Sequence, residues 1–269
     1  MNPKNILFML LITHAVPSLA LSPNPKRLML SELRGGDYAH AGDEEAIEIV
    51  LKDALSLHPL LLSGPILDVG CGLGGTLDYL KKKGGTQLYG VDIDAEAINY
   101  ARNHYEGIHF IEGDALQVAT LFPHPKFGFL FLFNSLYPIA DKKTLLEELG
   151  KVAKPGALLA IFDYASPGKE TILPFRDFSN KEMRALCPFQ LKEDLEKTDW
   201  EWIETRDLTS HFIEWYEAFL KRLNQQEASL KKKFSPEIVH RVRETFSSIL
   251  TELHEGRLKG VLIYASKRS

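Results

Sequence analysis

Only two cysteines, Cys71 and Cys187, occur in the 269 residues of this chain, so no disulfide framework holds the fold together. Cys71 lies within a glycine-rich turn, where the fixed geometry of a disulfide would be hard to place. Free thiols and a reducing compartment follow. Positive charge is not in excess either: 32 Lys and Arg face 36 Asp and Glu, a formal net charge of -4. Such a chain has no overall positive field to gather phosphate backbones, which argues against a nucleic-acid partner and favours small or neutral substrates. Long apolar runs are missing. Ile6–Ile12 is followed by Thr13, His14 and Pro17, short of the roughly 18 apolar residues that span a bilayer, so no membrane partner is expected. Zinc-ligand spacing, a nucleophilic serine elbow and a phosphate-binding lysine loop are also lacking, which sets aside a metal site and hydrolase or triphosphatase chemistry.

What is present is ordinary globular composition, 45% hydrophobic and 25% charged, enough for one large core. Lys4, the short apolar run and Ser18-Leu19-Ala20 read like an export signal. Alternatively, translation starts at Met29. Either way residues 1–28 are an extension and residues 29–269 the folded domain.

From Asp43 onward the chain repeats a helix followed by a short apolar strand, the pattern of a parallel sheet covered on both faces. Asp43 can cap a helix carrying Ile47, Val50, Leu51, Ala54 and Leu55, stopped by Pro59. Strands are expected at 66–69, 87–91, 108–111, 127–133 and 157–162. The continuous run Phe127 to Phe133 suits a central strand buried on both faces. Asp94 and Asp141 are placed to cap the intervening helices. After Tyr164 comes a polar, proline-bearing stretch to about Phe178, then a short helix near Leu191–Leu195 and a strand at 203–208. Two long helical patterns follow, the second punctuated by Ser235, Pro236 and Gly256, before a last strand at 261–265. The lid-like insertions are thus about 165–200 and 209–256.

The turn Asp68-Val69-Gly70-Cys71-Gly72-Leu73-Gly74-Gly75 ends a strand and opens a helix, where glycine lets backbone approach a ligand. By itself this string also satisfies the dinucleotide fingerprint. Three carboxylates decide the matter. Asp68 precedes the first glycine, where it could receive an ammonium but would repel a pyrophosphate. Asp92, about twenty residues after Gly72, can accept ribose hydroxyls. Asp114 closes the third strand and could accept from an adenine amino group. Together they suit a ligand with a sulfonium, an ammonium and no phosphate. Asp68, Asp114 and the lack of a Tyr-x-x-x-Lys pair speak against a NAD-dependent oxidoreductase.

Residues 66–76, 89–94, 111–116 and 154–162 resemble, in order and spacing, the motifs of class I S-adenosylmethionine-dependent methyltransferases. The resemblance implies an α/β, Rossmann-like, seven-stranded, mostly parallel sheet with helices on both faces and a helical insertion before the last strand. It implies S-adenosylmethionine as cofactor, with Gly70, Gly72 and Gly74 along its methionine part, Asp92 and Ile93 at ribose and adenine, and Asp114 and Ala115 at the adenine edge. Asn134 would stand near the reacting methyl. The cofactor is intracellular, so a cytoplasmic location is expected unless the signal-like segment exports the chain.

Methyl transfer from a sulfonium is an in-line displacement that needs alignment and exclusion of water more than a base. Tyr38 and His40, in a glycine-punctuated polar segment, and Tyr137, after the fourth strand, are the candidate catalytic residues. Tyr164, Trp215 and Tyr216 are further aromatic candidates, although aromatic stripes at helical spacing more often serve a core. His211 reads as a surface or capping residue, and Asp163 either orients substrate or anchors a loop. The C-terminal third loosely resembles the lid of N-methyltransferases acting on glycine derivatives such as sarcosine and dimethylglycine, which implies a small-molecule acceptor. The alternative is a catalytically silent cofactor-binding module.

Overall fold

In a computed structural model the described residues are 23–124, 126–169, 171–176 and 182–269. The signal-like residues 1–20, and Phe178, lie outside them. In chain order the elements are α1 (Pro25–Arg34), α2 (Asp43–Leu57), β1 (Pro65–Val69), α3 (Gly75–Lys82), β2 (Gln87–Asp92), α4 (Ala95–His104), β3 (His109–Glu112), α5 (Val118–Leu121) and β4 (Phe127–Phe133). Then follow α6 (Lys142–Val152), β5 (Ala153–Ala165), β6 (Thr171–Arg176), β7 (Glu182–Ala185), α7 (Pro188–Glu196), β8 (Trp200–Asp207), α8 (Thr209–Phe234), α9 (Pro236–His254) and β9 (Lys259–Lys267).

Seven strands form one sheet in the order β3-β2-β1-β4-β5-β9-β8. The first five are parallel to their neighbours and β9 joins β5 and β8 antiparallel. The apolar run of β4 takes the middle of the sheet, and its two-residue period feeds two cores. Phe129, Phe131 and Phe133 face the layer of α1–α4, α8 and α9. Leu130 and Leu132 face α5, α6 and α7. From β1 the chain steps to β2 and β3 on one side, then returns to β4 and β5 on the other. That reversal opens a crevice at the carboxyl ends of β1 and β4, where ligands of such sheets bind.

Local signals hold where caps are concerned. Asp94 accepts from the amides of Glu96 and Ala97, Asp141 from Thr144 and Ser235 from Ile238. Asp43 does not cap: Gly42 holds the cap position and the Asp43 side chain turns to Arg34 and Arg222 instead. Helix α1 runs through the boundary drawn at residue 28, with Met29, Leu30 and Leu33 buried. The polar stretch after Tyr164 contains a hairpin, β6–β7, that buries Leu173, Met183 and Ala185. Within the 165–200 insertion, α7 packs in the second core through Leu191 and Leu195, away from α8 and α9. No helix among the described residues is long and apolar enough to cross a membrane.

Candidate functional site

Strand ends and one turn assemble the site. Gly70 sits at φ +82, a left-handed conformation that L side chains rarely adopt, and a Cβ there would stand 2.5 Å from the Ser135 Cβ. This lets the chain turn sharply off β1 while the amides of Gly70 and Cys71 donate to the Val91 carbonyl. Asp92, at the end of β2, closes the turn from the other side. Its Oδ2 accepts from the Gly72 amide at 2.8 Å and its Oδ1 from the Asp94 amide at 2.9 Å. Gly72 and Gly74 share the left-handed backbone of Gly70.

Asp68 is 3% exposed. Burial, and then the neighbouring Asp92 charge, push its carboxyl well above the usual carboxylate range. A cation arriving beside it would restore the charged form. Asp114 accepts from the Leu116 amide at 2.9 Å, and Ala115 opens the short turn it caps. Ile93 lies 68% exposed next to Asp92. Asn134, at φ +49 directly after β4, accepts from the Ala41 amide at 3.0 Å and donates to the Asp163 Oδ1 at 3.4 Å.

An N-terminal cap lies over this crevice. The Arg27 Nε of α1 meets the Asp94 Oδ2 at 3.0 Å, and a Cβ on Gly72 would stand 3.0 Å from the Arg27 Nη1. Asp37 accepts from the hydroxyls of Ser31 and Tyr105, and its carbonyl oxygen would stand 2.6 Å from a Cβ on Gly75. Asn24 as cap, Pro25 at the first helical position and left-handed Gly35 at the end are the sequence signals from which α1 could be read.

Residues 66–156 match the family described as methyltransferase domain. Phosphoethanolamine N-methyltransferase of Plasmodium falciparum (isolate 3D7) is 26% identical over 206 residues, covering 75% of this chain and 76% of that protein. The maize phosphoethanolamine N-methyltransferase 1 is 30% identical over 145 residues, 53% of this chain and 28% of that one. The backbone superposes on a putative sarcosine dimethylglycine methyltransferase from Galdieria sulphuraria with a TM-score of 0.79 at 16% identity, covering 91% and 99% of the two chains. For a Haemonchus contortus phosphoethanolamine N-methyltransferase 2 the TM-score is 0.76 at 20% identity, with 90% of this chain spanning 57% of that one. Residues 66–156 carry a methyltransferase domain, and the chain is an S-adenosylmethionine-dependent methyltransferase.

Beside the methyltransferase crevice, aromatic rings pack into a closed cluster. Phe162 stacks on Phe212 with centroids 4.8 Å apart, Tyr137 meets Tyr164 edge-on at 5.5 Å, and Trp215 lies 6.1 Å from Phe162. The hydroxyls of Tyr164 and Tyr216 bond to each other, both fully enclosed. Helix α8 supplies Phe212, Trp215 and Tyr216 and so roofs the ends of β4 and β5. Asp163 holds the floor. Its Oδ2 accepts from the amides of Leu136 and Tyr137 at 2.9 and 3.0 Å, and its Oδ1 from that of Tyr164 at 2.7 Å.

His40 packs into this cluster against Phe133 and Phe162, with Tyr38 at its edge. The His40 ring lies 4.6 Å from that of Phe133, and burial lowers its pKa to about 4, so the imidazole is neutral. Its Nδ1 donates to the Ala41 carbonyl at 2.9 Å, which leaves Nε2 to accept from the Thr76 hydroxyl at 3.2 Å. The Tyr38 hydroxyl instead donates to the Glu44 Oε1 at 3.0 Å, on α2. Trp215 Nε1 donates to the Glu45 Oε2 at 2.8 Å, which fixes its ring as a wall.

Proposed function

We propose that this methyltransferase acts on the nitrogen of a small amine held beneath α8. The observation that carries the reading is the aromatic cluster beside Asp68, Asp92 and the glycine turn, taken as the lining of an acceptor chamber. When bound, S-adenosylmethionine supplies an electrophilic methyl group on a sulfonium. Asp68 fits its ammonium, because burial and the Asp92 charge push that carboxyl up and a cation beside it would favour its charged form. Asp92, with Ile93 beside it, suits the ribose and adenine, Asp114 and Ala115 the adenine edge, and Asn134 the end nearest the methyl. Gly70, Gly72 and Gly74 give the turn its left-handed backbone, along which the methionine part would lie.

The chamber prepares the nucleophile. An amine attacks only through its lone pair, and the rings of Phe133, Tyr137, Phe162, Tyr164 and Trp215 disfavour the ammonium form. The methylated nitrogen would carry positive charge, which the aromatic faces would stabilise. The neutral His40, with both ring nitrogens engaged, serves as a wall rather than a base. Tyr38 steadies the cap through Glu44. The relatives named phosphoethanolamine N-methyltransferase act on a small amine, in line with this reading. The site that α8 roofs is suited to a small molecule.

Calorimetric titration with S-adenosylmethionine, S-adenosylhomocysteine and NAD, followed by transfer of labelled methyl to a panel of small amines and small phenols, tests the proposal. Binding of the first two ligands and labelling of amines is the expected result. Labelling confined to phenols would overturn it.

A further inference from the structure

Residues 35–42, between α1 and α2, cross the cofactor crevice and are fastened on both of its banks. On one side stands α4, with Tyr100 within it and Tyr105 directly after it. The Asp37 carboxylate accepts from the Tyr105 hydroxyl at 2.5 Å and the Tyr100 hydroxyl at 3.4 Å, and also from the Ser31 hydroxyl of α1 at 2.5 Å. On the other side, directly after β4, the Asn134 Oδ1 accepts from the Ala41 amide at 3.0 Å. Between these anchors the chain passes over the start of α3. A Cβ on Gly75 would stand 2.6 Å from the Asp37 carbonyl oxygen, and the His40 Nε2 meets the Thr76 hydroxyl at 3.2 Å. Because β2 and β4 flank β1 in the sheet, the contacts reach from one side of the glycine turn to the other.

Asp37 is the strongest of these anchors, since one carboxylate holds three hydroxyls and hydrogen bonds to an ionised acceptor outweigh neutral ones. Burial, followed by the bond and the charge of Asp37, raises the Tyr105 hydroxyl well above its ordinary range, and burial and Asp37 push Tyr100 up to about 12. Both therefore stay protonated and able to donate. Left-handed glycines bound the segment, Gly35 at φ +69 and Gly42 at φ +78, so it can pivot at its ends while α1 and α2 keep their places. On the reading that Asp68, Asp92 and the glycine turn hold the cofactor, we propose that Asp37 is a positioning residue: by clasping residues 35–42 to α4 it keeps that segment closed over the cofactor and slows the cofactor's departure. Asp37 acts through the segment and not on the reacting atoms. His40 rides on the same segment, so its seat against Phe133 depends on the same clasp.

Stopped-flow measurement of S-adenosylhomocysteine release from the full chain tests this in wild type, Asp37→Asn, Tyr105→Phe and the double variant. Each single variant should release the ligand roughly 5- to 50-fold faster, the scale of a hydrogen bond to a charged group. The double variant should stay within about twofold of the faster single one, because both substitutions act on one bond. Hydrogen exchange of residues 36–41 in the ligand-free chain should quicken in both single variants while that of α6 is unchanged. Tyr100→Phe, at the longer bond, should change release in the same direction and is the milder variant should either of the others fail to fold by circular dichroism. Faster exchange at residues 36–41 with an unchanged release rate overturns the proposal, and so does an additive acceleration in the double variant. If the wild type binds neither S-adenosylmethionine nor S-adenosylhomocysteine, the cofactor reading falls and the proposal with it, whereas binding with equal release from all variants sinks the proposal alone.

Discussion

Arg27 and Asp94 meet at 3.0 Å across the mouth of the glycine turn, tying the N-terminal helix α1 to the residue that caps α4. Both side chains are about one-quarter exposed, so this pair is a latch of modest strength, worth up to about 1 kcal/mol. On the proposed reading it stands at the mouth of the cofactor crevice. Arg27→Ala should therefore speed release of S-adenosylmethionine by roughly two- to fivefold, as expected from a loss of that size. Stopped-flow fluorescence measures it, and an unchanged dissociation rate would show that α1 takes no part in release.

Asp92 has two tasks, since the oxygens that hold the Gly72 and Asp94 amides would also face the ribose. Asp92→Ala should weaken cofactor binding by about 1–3 kcal/mol, the scale of a lost charge-assisted hydrogen bond. Calorimetry is the check. Undiminished affinity would contradict the assignment of Asp92 to the cofactor.

Asp163 and His40 titrate with opposite consequences in one pH window. Burial raises Asp163 from 3.8 to about 6 and lowers His40 from 6.5 to about 4. Between these values the folded chain keeps a proton on Asp163 that the unfolded chain has released, so raising the pH costs stability. Over the same range the unfolded chain keeps a proton on His40 that the folded chain lacks, so raising the pH adds stability. Each effect amounts to about 3 kcal/mol at most, and the two offset each other. Relative to wild type, His40→Gln should lose stability as the pH rises from about 4.5 to 6.5 and Asp163→Asn should gain it. Urea unfolding across that range decides, and parallel curves for all three proteins would refute both assignments.

The Tyr164 and Tyr216 hydroxyls form a closed pair in the buried cluster. Removing one strands the other. Tyr164→Phe and Tyr216→Phe should each cost about 1–3 kcal/mol, whereas the double variant should cost clearly less than their sum. A double-mutant cycle in denaturant measures the coupling. Additive losses would mean that each hydroxyl has another partner.

Much of the sheet is legible residue by residue. Strands β1 to β5, the cap roles of Asp94 and Asp141 and the Ser235-Pro236 helix start follow from short-range patterns, because a strand's period or a capped amide involves residues within a few positions of one another. The glycine turn is legible for the same reason. The hairpin β6–β7 is not: Pro174 and the polar residues around it read as loop, and its few apolar side chains find cover only when α9 and β5 are in place. Asp43 misleads because an acidic residue before a helix is an ordinary cap, and only the approach of Arg34 and Arg222 draws its carboxylate elsewhere.

The sequence alone determined the α/β architecture and the S-adenosylmethionine-dependent methyltransferase class. Tertiary structure alone decided that Asp163 would gather amides from two strand ends, that His40 would be neutral, and that two arginines would share Asp43. The reason lies in range. A turn or a cap is a matter of neighbouring residues, whereas the charge and burial of a side chain depend on groups that only packing brings beside it.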